Sequence, residues 1–345
     1  MVVKDVLKAV SSGDILTAET AEAFMDALMN GEITPVQTAG LLAALAVRGE
    51  AVSEIVGFAR AMRKNSVRLN PPFPVLDTCG TGGDGANTFN ISTATAFVCA
   101  AAGVKVAKHG NRAVSSKSGS ADVLAALGIH LELSPEAALE CLQAANLCFL
   151  FAQHFHPAMK HAAEPRKQLG FRTVFNILGP LTNPAGATRQ VLGVYRVDLV
   201  EKVAEALGQL GTEHALVVHG DGGIDEFSLQ GPTEVAEVKH GRVTRYTVHP
   251  SDFRLPTAPL SAVEGGDAAE NASILRRVFD GERGPRRDVV VLNAGAALYV
   301  GGKVTSIAEG VRLAERLLDS GAVSAALQRV AVASNRYAAQ AEVAQ

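Results

Sequence analysis

The sequence predicts an α/β protein: a small all-helical N-terminal domain, then a larger α/β domain built around a mainly parallel central sheet. Three observations carry this reading. Residues 1–70 show helical periodicity and no strand-like segment. From Phe73 the pattern changes to strand, glycine loop and helix, repeated. The composition also suits such an architecture, with 33 glycines for sharp turns and only 5% aromatic residues among alanine-rich helices. At 345 residues, 48% of them hydrophobic, the chain buries one large core or two unequal ones.

In the first 70 residues, Thr17 is placed to cap a helix whose apolar face carries Ala21, Phe24, Met25, Leu28 and Met29, three and four apart; Gly31 ends it. Thr34-Pro35 opens a second helix, a cap followed by proline at the first helical position; Gly49 stops it. Ser53 is the expected cap of a third, which runs toward Leu69 and closes at Asn70-Pro71-Pro72. Beyond Phe73 the strand candidates are Val75–Thr78, Lys105–His109, Leu147–Ala152, Gln190–Tyr195, Ala215–His219 and Val289–Leu292. Helical stretches between several of them predict parallel strands joined by right-handed crossovers. Glu234–Val248 alternates on both sides of His240-Gly241 and predicts a peripheral hairpin. From Ser306 the chain is helical again, broken at Gly321.

The formal net charge is −3 and the 32 basic residues are scattered, which argues against a nucleic-acid partner. No apolar run approaches the roughly 18 residues of a membrane helix. The opening MVVKDVLKAVSSGD lacks the apolar core of a signal peptide. Cys79, Cys99, Cys141 and Cys148 have no CxxC spacing, and reduced thiols in a cytoplasmic protein are expected.

Four segments carry chemistry. The first is Val75-Leu-Asp-Thr-Cys-Gly-Thr-Gly-Gly-Asp-Gly85, leading through Thr88–Thr93 into a helix over Ala94–Ala102. Its four glycines let backbone N–H groups converge on phosphate oxygens, and the start of the following helix adds to the attraction. Ser92 and Thr93 could add hydroxyl donors or a metal ligand. A plain glycine turn with a helix cap at Asn90 or Ser92 reads the same way locally, and the loop fits neither GxxxxGK[ST] nor, cleanly, GxGxxG. The second segment, Val104–Asp122, again ends a strand in a polar loop, with Lys108, His109, Asn111, Arg112, Ser115, Ser116, Lys117, Ser118 and Ser120. A merely solvated loop is the alternative, but two such loops at neighbouring strand ends favour a shared anion site.

The third segment runs from His156-Pro-Ala-Met-Lys160 through Arg166 to Pro184. Arg166 suits a substrate carboxylate through a two-pronged hydrogen bond, whereas a lone arginine is commonly just surface. His154, His156 and His161 lack both HExxH spacing and an acidic ligand pattern, which disfavours a metal site there. The fourth segment is His219-Gly-Asp-Gly-Gly-Ile-Asp-Glu-Phe227, whose Asp225 and Glu226 are hard oxygen ligands of the kind magnesium takes.

Together these segments resemble the anthranilate phosphoribosyltransferase family over almost the whole chain. Asp77-Thr-Cys-Gly-Thr-Gly-Gly-Asp84, Lys108-His-Gly-Asn-Arg-Ala-Val-Ser-Ser116 and Asn176-Ile-Leu-Gly-Pro-Leu-Thr-Asn-Pro184 are highly specific in combination. The resemblance implies a fold of the nucleoside phosphorylase and phosphoribosyltransferase type, with residues 1–70 and part of 166–184 in the helical domain and residues 73–165 and 185–345 in the α/β domain. It implies transfer of phosphoribose from phosphoribosyl pyrophosphate to anthranilate in tryptophan synthesis, with Mg2+ as cofactor and a homodimer formed through the helical domain. The donor would meet Gly80, Gly83, Asp84, Thr88, Asn90, Ile91, Ser92 and Thr93 on the first loop. On the second it would meet Lys108, His109, Gly110, Asn111, Arg112, Ala113, Val114, Ser115, Ser116 and Ser120. Anthranilate would meet Gly80, Asn111 and Arg166, and Ser92, Asp225 and Glu226 would hold magnesium. Glu164-Pro165 departs from the family pattern of proline and an apolar residue just before that arginine. No obligatory catalytic nucleophile or base is expected, with Lys108 and His109 as assistants. A pyrimidine-type nucleoside phosphorylase and a noncatalytic phosphosugar sensor are the alternatives.

Overall fold

A computed structural model of the chain describes residues 2–113 and 117–343, with side chains described as far as Tyr337. The chain opens with α1 (Val3–Ser11), α2 (Ala18–Met29), α3 (Pro35–Arg48) and α4 (Val52–Lys64). Thr17 Oγ1 accepts the Thr20 N–H at 3.2 Å, satisfying one of the orphan donors at the start of α2. Thr34 and Gln37 cap each other reciprocally at the start of α3, where Pro35 is the first helical residue. Ser53 does not cap α4. The helix starts two residues earlier, after Ala51, and Ser53 Oγ donates to Leu16 O at 2.7 Å. Glu54 takes over the helix start instead, accepting the Ala51 N–H at 2.9 Å and the Leu16 N–H at 3.0 Å while paired with Arg48. The helix also stops at Lys64, short of Leu69. Gly57 lets α4 lie directly on α2: a Cβ there would come within 2.2 Å of Ala18 O. Phe24, Met25, Leu28, Leu45 and Phe58 are fully buried between these helices.

The sheet follows: β1 (Leu76–Gly80), α5 (Ile91–Ala101), β2 (Val106–Gly110), α6 (Ser120–Ala126), α7 (Pro135–Ala145) and β3 (Leu147–Phe151). A helical excursion, α8 (Ala152–Phe155), α9 (Lys160–Leu169) and α10 (Phe175–Leu181), comes next; α9 packs on α2 and α3, and α10 on α4. Then come β4 (Arg189–Gly193), α11 (Leu199–Gln209), β5 (His214–Gly220), β6 (Thr233–Lys239) and β7 (Arg242–Val248). The chain finishes with α12 (Ala268–Phe279), α13 (Pro285–Val300), α14 (Ile307–Asp319) and α15 (Ala322–Val343).

The strands lie in the order β3-β2-β1-β4-β5-β6-β7, parallel through β5 and antiparallel for the last two. His240 and Gly241, both at positive φ, turn the predicted hairpin between β6 and β7. Strand residues alternate between two cores, as the pleat requires. Val191, Leu216 and Val218 join the core under α5, α12, α13 and α15, whereas Leu192, Val217 and Ala236 join the one shared with α2–α4 and α11.

One predicted strand is wrong. Val289–Leu292 lies inside helix α13, which is buried nearly all round between the sheet, α5 and α14. A helix with no solvent-facing stripe carries no 3.6-residue signal, so its β-branched run reads as a buried strand. Gly295 explains the close fit: a Cβ there would come within 2.7 Å of Val311 N on α14.

Candidate active site

The strand order reverses at β1. From it the chain moves outward to β2 and β3, then returns to the other flank as β4 and β5. Loops leaving β1 and β4 therefore diverge and open a crevice at the carboxyl ends of these strands, the usual ligand position in open α/β sheets. Glycines end β1, β4 and β5 at this edge, and Gly80 and Gly193 stand opposite each other in register.

Asp225 and Glu226 occupy the space these glycines leave. A Cβ on Gly193 would fall 1.5 Å from Asp225 O, one on Gly80 2.2 Å from Asp225 Oδ2, and one on Gly220 2.4 Å from Glu226 O. The glycines thus clear room for an acidic turn to lie across three strand ends, independently of any turn chemistry of their own. Gly82 N–H donates to Asp225 Oδ2 at 2.7 Å. The next residue is held from behind by α13: Phe227 N–H donates to Asn293 Oδ1 at 2.9 Å, and Asn293 Nδ2 donates to Phe227 O at 3.0 Å. Asn293 is 1% exposed, so these bonds form away from water.

Burial, then the neighbouring Asp84 carboxylate, pushes the Asp225 carboxyl up. Burial and Asp225 do the same to Glu226, while the Lys108 ammonium and the Ser92 backbone N–H draw it back. Acids crowded in this way favour a cation. Lys108 is 3% exposed; its Nζ donates to Thr78 O and, at 3.3 Å, to Ser92 Oγ. Ser92 lies in the first turn of α5, so a hydroxyl, two carboxylates and the start of a helix come together here. Among the described residues no cluster of three or more His, Cys, Asp or Glu side chains suits a metal. Two carboxylates and a hydroxyl leave much of a magnesium ion's octahedron to ligand oxygens and water, and that partial hard-oxygen set fits magnesium.

The remaining first-loop residues are built into the scaffold. Thr88 forms an antiparallel bridge with Glu264, and Phe89 N–H donates to Val263 O. Asn90 Nδ2 donates to Ser118 O at 3.3 Å and its Oδ1 accepts from Asn271 at 3.0 Å, which ties the two loops together. Asn90 is the residue before α5 but makes no side-chain cap. Ile91 and Thr93 are buried, and Thr93 Oγ1 has no hydrogen-bond partner among the described residues. Gly83 faces the guanidinium of Arg172.

The second loop folds on itself. Asp122 accepts the N–H groups of Ala113 and Gly119, both at 2.9 Å, and contacts Arg112 at 3.3 Å. Ser120 Oγ donates to Asn111 O at 3.3 Å, and Gly110 leaves room for that hydroxyl. Val114, Ser115 and Ser116 lie outside the described residues.

His109 is buried, with its ring against His156 at 5.1 Å between centroids. Its Nδ1 lies 3.2 Å from Gly179 O. A carbonyl only accepts, so Nδ1 carries the proton and Nε2 keeps a lone pair; that atom is buried without a partner among the described residues. Burial, then His156, lowers the imidazole to about 3. Gly179 belongs to α10, the helix that follows the Arg166 segment. Arg166 is half-buried on α9, stacked over Phe175 at 5.0 Å, and burial lowers its pKa. It forms no ion pair among the described residues. The structure places the Arg166 guanidinium against α10, and no hydrogen bond joins it to Asn111 among the described residues. Helix α9 runs unbroken through Pro165, so Glu164-Pro165 leaves Arg166 on a helical turn. Asn183 ties this excursion to the sheet, donating to Asp77 Oδ2 and Ala107 O, both at 2.8 Å.

Sequence reasoning did not single out Gly193, Asn293 or Arg172. Gly193 was marked only by being a glycine at a strand's end, and Asn293 by being a lone polar residue in an apolar run.

Comparison with known proteins identifies the family. Residues 4–66 match the family model described as "Glycosyl transferase family, helical bundle domain", and residues 73–324 match "Glycosyl transferase family, a/b domain". Anthranilate phosphoribosyltransferase of Rubrobacter xylanophilus is 55% identical over 336 residues, 97% of this chain and 98% of that protein. The crystal structure of anthranilate phosphoribosyltransferase from Thermus thermophilus superposes with a TM-score of 0.91 at 49% identity, covering 96% of this chain and 99% of that one. The Saccharomyces cerevisiae enzyme in complex with PRPP and Mg superposes with a TM-score of 0.87 at 28% identity, covering 97% and 98%.

Proposed function

The chain belongs to the anthranilate phosphoribosyltransferase family and transfers phosphoribose from phosphoribosyl pyrophosphate to anthranilate in tryptophan biosynthesis; on this premise, we propose how its residues divide the work. The donor diphosphate rests on the first loop, from Gly80 to Thr93, and on Lys108. The second loop, through Ser120, continues the donor site. Gly80, Asn111 and Arg166 receive anthranilate, with Arg166 on its carboxylate. The observation that carries this reading is the acidic turn lodged across three glycine-ended strands and facing Lys108 and Ser92.

In the reaction the C1–O bond to diphosphate breaks and a bond from C1 to the amine nitrogen forms. Ser92, Asp225 and Glu226 would hold magnesium, which when bound supplies neutralisation of the departing diphosphate. Lys108 and the loop N–H groups stabilise the same developing charge from fixed positions. The sugar acquires oxocarbenium-like character, and the acceptor attacks as a neutral aniline. The amine therefore needs no prior deprotonation, and catalysis is positioning plus electrostatics. His109, neutral across the working pH range, offers Nε2 as a hydrogen-bond acceptor and does not store a proton.

The helical domain takes in residues 1–70 and part of 166–184, with 73–165 and 185–345 forming the α/β domain. The packing of α9 and α10 on α2–α4 supports that division. A homodimer through the helical domain is supported by Val36 and Val47, 82% and 90% exposed on α3. A cytoplasmic setting is supported by four free, buried cysteines. None of the described helices is long and apolar enough to cross a membrane.

The test replaces Asp225 and Glu226 together by alanine and follows loss of anthranilate fluorescence with magnesium and donor present. Abolished magnesium-dependent turnover is expected, and full activity in the double variant would remove both from the metal site.

A further inference from the structure

We infer that Arg172 is a further donor-binding residue, whose guanidinium lies against Gly83 of the glycine loop and takes the diphosphate there. This rests on the reading that the glycine loop holds the diphosphate. Arg172 lies in the connection between α9 and α10, the excursion that packs on the helical domain. Its guanidinium stacks on the face of Tyr195 at 4.3 Å from the ring centroid. A Cβ on Gly83 would come 3.1 Å from its Nη2 and 3.2 Å from its Nε, so the cation reaches the phosphate loop itself.

The platform belongs to the same unit. Tyr195 N–H donates to Thr81 Oγ1 at 3.1 Å, and Thr81 N–H donates to Gly193 O at 2.9 Å. Loop, ring and guanidinium therefore hold one another in place at the point where β1 and β4 diverge.

Of the two cations beside the Tyr195 ring, Arg172 is the one that forms no ion pair among the described residues. Arg196, beside the same ring, is bound through two nitrogens to Asp198 at 2.9 and 2.7 Å. Arg172 is exposed, and its N–H donors meet no acceptor among the described residues. A planar fork of donors with a preset orientation matches phosphate oxygens in pairs, which an ammonium does not. Stacking on Tyr195 removes part of the rotamer freedom that an exposed arginine would otherwise lose on binding.

The experiment uses the full-length protein and its Arg172→Ala and Arg172→Lys variants. Calorimetric titration with magnesium diphosphate alone is expected to show affinity lowered about 10- to 100-fold for alanine and by less for lysine, which keeps the charge without the fork. The KM for the sugar donor should rise by a similar factor, while the KM for anthranilate at saturating donor stays within about twofold of wild type. Because the side chain is exposed, the unfolding temperature should not move. Equal diphosphate affinity in wild type and Arg172→Ala would overturn the inference, as would an effect confined to anthranilate. A wild-type protein that fails to bind magnesium diphosphate would instead overturn the donor site itself.

Discussion

Gly193 has the least room of the glycines at the crevice, since a methyl group there would fall 1.5 Å from Asp225 O. No side-chain rotation relieves a clash with backbone, so Gly193→Ala must push the acidic turn off the end of β4. Turnover is expected to drop at least about 100-fold, with a higher magnesium requirement, because catalytic geometry degrades steeply with small displacements. A magnesium titration of activity, with circular dichroism to check folding, decides it; an unchanged magnesium curve would mean that the turn is not placed by this glycine. Arg166→Ala belongs to the same scale. Losing a two-pronged, charge-assisted contact is expected to raise the KM for anthranilate about 10- to 100-fold, and far more than that for the donor. Equal effects on both would take the acceptor away from Arg166. The sequence marks Gly80, Asp225 and Glu226 because they sit in dense motifs. Gly193 and Arg172 act through partners 32 and 89 positions away, Asp225 and Gly83, and nothing in their own neighbourhood announces that.

Among the elements, α13 teaches most. The helices of the first domain are legible because each has a wet side: Thr17, Thr34 and the apolar stripe of α2 are local signals. Helix α13 has no such side, so periodicity is silent, and only Pro285 at its start and a length beyond that of a strand identify it. Its one fully buried asparagine clamps the backbone after the acidic turn. Asn293→Ala leaves the Phe227 N–H and C=O buried without these partners, a loss of about 1–3 kcal/mol for each group left unsatisfied. A lower denaturation midpoint and weaker magnesium binding, read by titration calorimetry without substrate, are expected together. A stability loss with magnesium affinity intact would make α13 a support for the core alone. The hairpin β6–β7 was legible for the opposite reason: its alternation and its His240-Gly241 turn are both local.

At the scale of the molecule, buried ionisable groups join the crevice to stability. Burial lowers His109 to about 3 and His156 to about 4, whereas an unfolded histidine protonates near 6.5. Below that pH the unfolded chain binds protons that the folded one refuses. The stability these two histidines contribute is therefore present above 6.5 and lost as the pH falls toward 4. Asp77, raised by burial to about 6, pulls the other way: its contribution is full below 3.8 and lost as pH rises through 6. The decisive quantity is thus a difference. His156→Gln keeps a donor for Thr182 O and does not titrate, so it should lose less unfolding temperature than wild type between about pH 7 and pH 4.5. Identical losses would show that His156 does not couple to folding. Closure of the helical domain over the crevice should also reduce the small-angle scattering radius when both substrates or analogues bind, and a constant radius would count against a hinge.

The four cysteines give the folded molecule an unusual chemical silence. Cys79, Cys99, Cys141 and Cys148 are all free and buried, and burial raises every one of them, so the native state holds almost no thiolate at neutral pH. Alkylating reagents attack the thiolate, and a molecule that keeps its shape offers them nothing. Each alkylation event therefore timestamps an excursion in which some layer has come apart. Because the thiols lie separately on β1, α5, α7 and β3, the order in which peptides gain mass would chart which layer breathes first, without any introduced probe.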